Sequence, residues 1–269
     1  MWFRKVTAFV IRDFLWELSY PLNFFWRGGS IFFSLVTFYF LGRLVGGATA
    51  GLAAYGGGGY FPFVLVGLAL AGFQSVALTS ITMAMQYGMY TGTLEAMLVT
   101  PTSLSTIVFS SVLYRFVSAL LSIVIYLAFG ALLFGFPLAQ ADFLAAAVVL
   151  GLALLAHLPL GIFSASFLLI FKRGDPITSL VGHLSALLAG VYFPLTVLPG
   201  WLQTVSFFLP FTHALEGLRQ AVLNGRTVVE LSTEIMVLSI FAAILLPLSL
   251  AVFSYAIYQA KRLGTLSQF

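Results

Sequence analysis

The sequence predicts an all-α integral membrane protein. An N-terminal amphipathic interfacial helix leads into six transmembrane helices, with short re-entrant or interfacial helices between spans five and six. Three observations predict this. Of 269 residues, 61% are hydrophobic and only 7% are charged, against about 25% charged in a soluble domain. Twenty charged side chains cannot clothe a soluble surface of this size, so a soluble protein, a nucleic-acid binder and a disordered chain are excluded. The apolar residues also fall in runs of about twenty, the length that crosses hydrocarbon. Finally, the few charges collect between those runs and leave their interiors nearly empty.

Residues 1–20 form the interfacial helix. Trp2, Phe3, Val6, Phe9 and Val10 follow the spacing of one helical face, with Arg4, Lys5 and Arg12 opposite. Such a helix lies flat at the headgroups with its cations outward. Arg12, Asp13 and Glu17 interrupt any signal-peptide core, so that reading is set aside. The first span is placed at Leu22–Leu41, with Arg27 snorkelling near its start. Gly42 to Gly59 is a Gly-rich loop. The second span is Tyr60–Tyr87. A polar stretch, residues 88–105, then holds the lone acid Glu95 and Pro101. In it Thr93 caps a short helix carrying Leu94, Glu95, Met97 and Leu98, which suits docking into a groove on a cytoplasmic partner or a plain surface connector.

Span three is Ser111–Phe134, with Arg115 near its start, and a turn at Pro137 leads to span four, Phe143–Phe171. Lys172, Arg173, Gly174, Asp175 and Pro176 form a charged turn before span five, Ile177–Leu195. Residues 198–234 are too broken for a span and too apolar for a solvent loop. They read as two short helices at the far interface, with Thr212 as an N-cap, Asn224-Gly225 as a stop, and Glu216 and Arg219 paired three apart. Span six is Ile235–Ala260, closed by Lys261 and Arg262. Six spans put both termini on one side. That side carries Arg4, Lys5, Arg12, Arg115, Lys172, Arg173, Lys261 and Arg262, against Arg43, Arg219 and Arg226 on the other, which places both termini in the cytoplasm. No repeat or soluble linker divides the chain, so 1–269 reads as one domain.

The missing motifs narrow the function. Lys5, Lys172 and Lys261 are the only lysines, and none sits in a Gly-Lys-Ser/Thr context, so the chain has no Walker motif. His157, His183 and His213 have no zinc-site spacing, there is no Cys, and no metal site is expected. His157, beside Pro159, is the one deep ionisable group that could line a transport path, though a packing role is open to it as well.

The whole pattern resembles the membrane subunit of type-2 ABC exporters. Four features carry the likeness: the amphipathic residues 1–20; Tyr90-Thr91-Gly92-Thr93-Leu94-Glu95 with Thr100-Pro101; Ala189-Gly190-Val191-Tyr192-Phe193-Pro194 with Leu198-Pro199; and Leu209-Pro210 followed by Glu216 and Arg219. Ala189 and Leu209 depart from the residues frequent there, which leaves the substrate subgroup open. The resemblance implies an ABC-2 type permease of the plasma membrane or bacterial inner membrane. It would export a drug, lipid or lipid-linked glycan, and would not itself be an enzyme. Two copies of a cytoplasmic ABC ATPase would carry ATP and Mg, and a second permease would complete a dimer, homomeric or heteromeric. Gly92, Thr93, Leu94, Glu95, Met97 and Pro101 would form the coupling segment. Lys172, Arg173 and Asp175 would make a second contact. Trp2, Phe3, Arg4, Lys5, Phe9 and Arg12 would lie on the interfacial helix, and Pro194, Pro199, Pro210, Glu216 and Arg219 in the re-entrant region. A stand-alone channel or ion-coupled secondary transporter is the alternative, with His157 as its candidate. An intramembrane enzyme would need a convergent acid–base or metal set that the sequence does not offer.

Overall fold

The computed structural model describes all residues except 1–6, 9, 13, 16–18, 46–54, 56–58, 91–103, 172–175 and 263–269. Every regular element among the described residues is helical. The helices are α1 (Pro21–Val45), α2 (Tyr60–Tyr90), α3 (Leu104–Phe134), α4 (Phe143–Phe171), α5 (Pro176–Leu188), α6 (Gly200–Phe207), α7 (Pro210–Leu223) and α8 (Ser232–Arg262), with a 3₁₀ turn at Leu195–Val197. Helices are the expected solution, because a chain in hydrocarbon must satisfy its backbone groups within each segment. Among the described residues, four helices (α2, α3, α4 and α8) are long and apolar enough to cross a membrane.

The two ends of the bundle are fixed by side-chain contacts. Thr7, Ala8, Val10, Ile11, Arg12, Phe14 and Leu15 are helical ahead of α1, and Phe14 meets Tyr114 of α3 edge-on, 6.4 Å between centroids. Arg27 of α1 donates to the Ser118 carbonyl of α3 at 2.8 Å, so it is engaged within the bundle and does not snorkel to the surface. These contacts mark the terminus end. At the opposite end Tyr39, Phe61 and Phe134 cluster, with centroids 4.9 to 5.4 Å apart.

Of the four membrane-length helices, α2 is the most enclosed. Of its apolar window 72% is buried, against 17% for α8. Small residues let neighbours approach it closely. A Cβ on Gly161 of α4 would lie 2.5 Å from the Ala77 carbonyl oxygen of α2. α4 packs most extensively on α8, and α7 inserts between α2, α4 and α8. Asp142 caps α4, accepting from the Ala145 N–H at 2.8 Å.

Two elements differ from the sequence expectation. Span five was placed at Ile177–Leu195, but the helix ends at Leu188. Thirteen residues make a helix of only about 20 Å, short of the roughly 30 Å hydrocarbon core. Gly190, at φ +81°, turns the chain away from the helix axis. The residue 198–234 region does form two short helices, but they are not alike. α6 is exposed at Trp201, Val205 and Phe207, whereas every residue of α7 except Glu216 is buried. Thr212 is not the cap of α7. Leu209 occupies that position and Pro210 is the first helical residue, while the Thr212 hydroxyl donates to the Ser206 carbonyl at 2.7 Å. The expected stop holds: Asn224 is the C-cap, and Gly225 takes φ +64°.

Candidate functional site

Two linked features organise the side of α2 that faces α5. The first is a groove of about 450 Å³. From α2 it is lined by Ala71, Gln74, Ser75, Leu78, Thr79 and Gln86, among others, a single stripe at helical spacing. Thr178, Ser179, Gly182, His183 and Ala186 line it from α5. No Asp, Glu, Lys or Arg lines it among the described residues. Several hydroxyls there are spent internally. Thr82, Ser164 and Thr178 form a chain with 2.9 Å links, and Thr79 donates to the Ser75 carbonyl at 2.8 Å. His183 Nδ1 lies 2.6 Å from the Ser179 carbonyl. Gln74 differs: it is 2% exposed, and its Nε2 has no hydrogen-bond partner. An unpaired buried amide carries a desolvation penalty of about 1–3 kcal/mol.

The second feature is a clamp centred on Arg219 of α7, which is 2% exposed. An isolated buried cation is prohibitively unfavourable, and this one is solvated by backbone dipoles. Nη2 donates to the carbonyls of Gly190 at 2.9 Å, Phe63 at 3.1 Å and Val191 at 3.2 Å. The guanidinium carbon also sits 3.4 Å from the Phe63 ring centroid, a cation–π geometry. Glu216 is not its hydrogen-bond partner, so the expected pair is replaced by a longer relay. The Tyr55 hydroxyl donates to Glu216 Oε2 at 2.7 Å, Gln220 Nε2 donates to Oε1 at 2.8 Å, and Asn224 donates on to Gln220. Burial, reinforced by the Glu216 carboxylate, pushes the Tyr55 phenol above its ordinary pKa.

The clamp lies one turn beyond the groove. Ala71 and Ala186 line the groove's far end, and Gly67 and Gly190 stand four residues further along their segments. A Cβ on Gly67 would come 2.7 Å from the Val191 carbonyl oxygen and 3.0 Å from Arg219 Nη2.

Other predicted site residues fall elsewhere. Pro194 precedes the 3₁₀ turn and Pro199 precedes α6, each carbonyl accepting from the turn that follows. Pro210 opens α7. His157 is buried in α4, its Nδ1 2.6 Å from the Ala153 carbonyl and its ring edge-on to Phe211 of α7 at 5.8 Å. It does not line the groove. Arg12 lies on the N-terminal helix and is exposed. Trp2, Phe3, Arg4, Lys5, Phe9, Gly92, Thr93, Leu94, Glu95, Met97, Pro101, Lys172, Arg173 and Asp175 lie outside the described residues. The groove itself was missed by a sequence reading centred on charges. Its signal was there in the recurrence of Gln74, Ser75, Thr79, Thr82 and Gln86 on one face of an apolar span.

Four membrane-length apolar helices, one of them nearly enclosed by the rest, define a multi-pass membrane protein. Residues 50–251 match the family model described as ABC-2 family transporter protein, and the chain belongs to that family of ABC transporter membrane subunits. A comparison with curated proteins finds no match.

Proposed function

We propose that the chain is the permease subunit of an ATP-driven exporter, with six spans of which the fifth, α5, is short and is continued by the turn after it, both termini cytoplasmic, and the α2–α5 groove as its share of the substrate path. The observation that carries this is the absence of charge along the groove's described lining, together with the family match. An ion-coupled carrier keeps ionisable groups where the substrate passes, and among the described residues the groove offers only His183. The energy is therefore assigned to two copies of an ABC ATPase, which carry ATP and Mg, in a complex with a second permease. The substrate enters from the cytoplasm or inner leaflet at the terminus end. The turn held by Arg219 closes the groove from the opposite end, and a movement of α5 relative to α2 opens it.

Docking is assigned to Gly92, Thr93, Leu94, Glu95, Met97 and Pro101, with the Lys172, Arg173 and Asp175 turn and the helix bearing Trp2, Phe3, Arg4, Lys5, Phe9 and Arg12 beside it. A short apolar helix bearing one acid suits a groove on a cytoplasmic subunit. The test is Glu95→Ala in the purified complex. We expect an intact fold and at least about a tenfold loss of substrate-stimulated ATP hydrolysis, the equivalent of one charged contact. Unchanged coupling would remove Glu95 from the docking surface.

A further inference from the structure

The groove's chemistry says more about what passes through it. Its walls combine apolar surface (Ala71, Leu78, Met83, Gly182, Ala186) with uncharged hydrogen-bonding groups (Gln74, Ser75, Thr79, Gln86, Thr178, Ser179). Nothing charged lines it among the described residues, and Arg115 of α3 donates to the sulfur of the lining residue Met83 at 3.6 Å. An ionic headgroup entering such a groove would be desolvated without a counter-charge, the most unfavourable outcome available to it. A hydroxyl-bearing group faces no such barrier. It gains from Gln74, whose amide is buried in the groove wall with its Nε2 unpartnered, and which relieves its own penalty only when something bonds to it. A groove of about 450 Å³ is of the size that holds a small ligand.

We propose that the groove binds an uncharged, hydroxyl-rich group, with Gln74 as its central hydrogen-bonding partner and Thr79 and Gln86 flanking it. The group is either the sugar headgroup of a neutral glycolipid or a free neutral glycan. Cationic drugs and anionic lipids are rejected because the groove's described lining has no counter-charge to offer. This rests on reading the groove as the path, but its test needs no ATPase and so fails or succeeds separately.

The chain has no cysteine, so Ser75→Cys places a single thiol on the groove wall. Its rate of maleimide labelling is measured for the full chain in nanodiscs. The probes are maltose, dodecyl maltoside, dodecyltrimethylammonium and dodecyl phosphate, the amphiphiles kept below their micellar concentrations. The proposal expects maltose or dodecyl maltoside to slow labelling, and neither charged amphiphile to do so. Protection by maltose alone identifies a free glycan, and protection that needs the chain identifies a glycolipid. Adding Gln74→Leu weakens the protecting probe by about tenfold, the loss of one net hydrogen bond. Thr79→Val, which preserves side-chain shape, weakens it as well and guards against misfolding of the Gln74 variant. Equal or stronger protection by a charged amphiphile, no protection by any probe, or protection unmoved in both variants overturns the proposal.

Discussion

Arg219 illustrates how a cation survives inside an apolar bundle. It is solvated by three carbonyls and the ring faces of Phe63 and Tyr55, and among the described residues no carboxylate shares in its hydrogen bonding. Removing it leaves those carbonyls of Phe63, Gly190 and Val191 facing a void. We predict that Arg219→Met destabilises the folded chain by about 3 kcal/mol or more, because charged hydrogen bonds are lost and buried acceptors are stranded. Arg219→Lys should fall between the two, since an ammonium cannot reach three carbonyls with a planar fork. Denaturant unfolding in micelles checks both, and a wild-type midpoint for Arg219→Met would refute the clamp. Tyr55 gives a pH prediction. Its phenol is raised by burial and by Glu216, so the protonated form is the one the fold favours. That contribution is fully present below the ordinary phenol value of about 10, and is lost only as pH climbs above it toward the raised folded value. The Tyr55 contribution should therefore stay constant between roughly pH 7 and 9 and decline beyond. Tyr55→Phe removes its share of the alkaline decline while lowering stability at neutral pH by about 1–2 kcal/mol. An unchanged alkaline limb in that variant would contradict the assignment.

At the scale of elements, the short helix α5 and the turn after it carry the argument. Gly190 holds φ +81°, where an L side chain is strained, and its Cβ would lie 2.9 Å from the Phe193 carbonyl oxygen. Gly67 is pinned by the Val191 backbone. We expect Gly190→Ala and Gly67→Ala each to destabilise by about 1–3 kcal/mol. Gly72→Ala, where a Cβ meets nothing within 4 Å, should be neutral or slightly stabilising. Thermal melts of the three variants in one nanodisc preparation decide this, and equal melting temperatures would remove the turn from the clamp. Much of the architecture is legible in the sequence, because apolar run length and Gly or Pro punctuation are local signals. Phe143–Phe171 and the Asn224-Gly225 stop are examples. The shortened α5 and the buried α7 are not legible in this way. Both depend on what Arg219 bonds to, and its acceptors are backbone carbonyls from residues 28 to 156 positions away, which no side-chain pattern announces. The Glu216–Arg219 spacing suggested a pair for the same reason: a sequence displays charges and hides carbonyls.

The molecule as a whole is defined by where its few charges go. Arg27 joins α1 to α3, Arg219 joins α7 to α2 and the end of α5, and Asp142 caps α4. The two arginines hold helices together, the aspartate caps one, and none of the three is on the groove. That distribution fits a subunit that provides a path and leaves the energy source to a partner. The measurement that bears on this most directly is the flux of neutral and charged fluorescent amphiphiles across proteoliposomes. The chain is reconstituted alone, with its co-purified ABC ATPase and ATP, and with a catalytically inactive form of that ATPase. Flux is predicted only with the active ATPase and ATP. Flux by the chain alone, driven by a proton or sodium gradient, would contradict it.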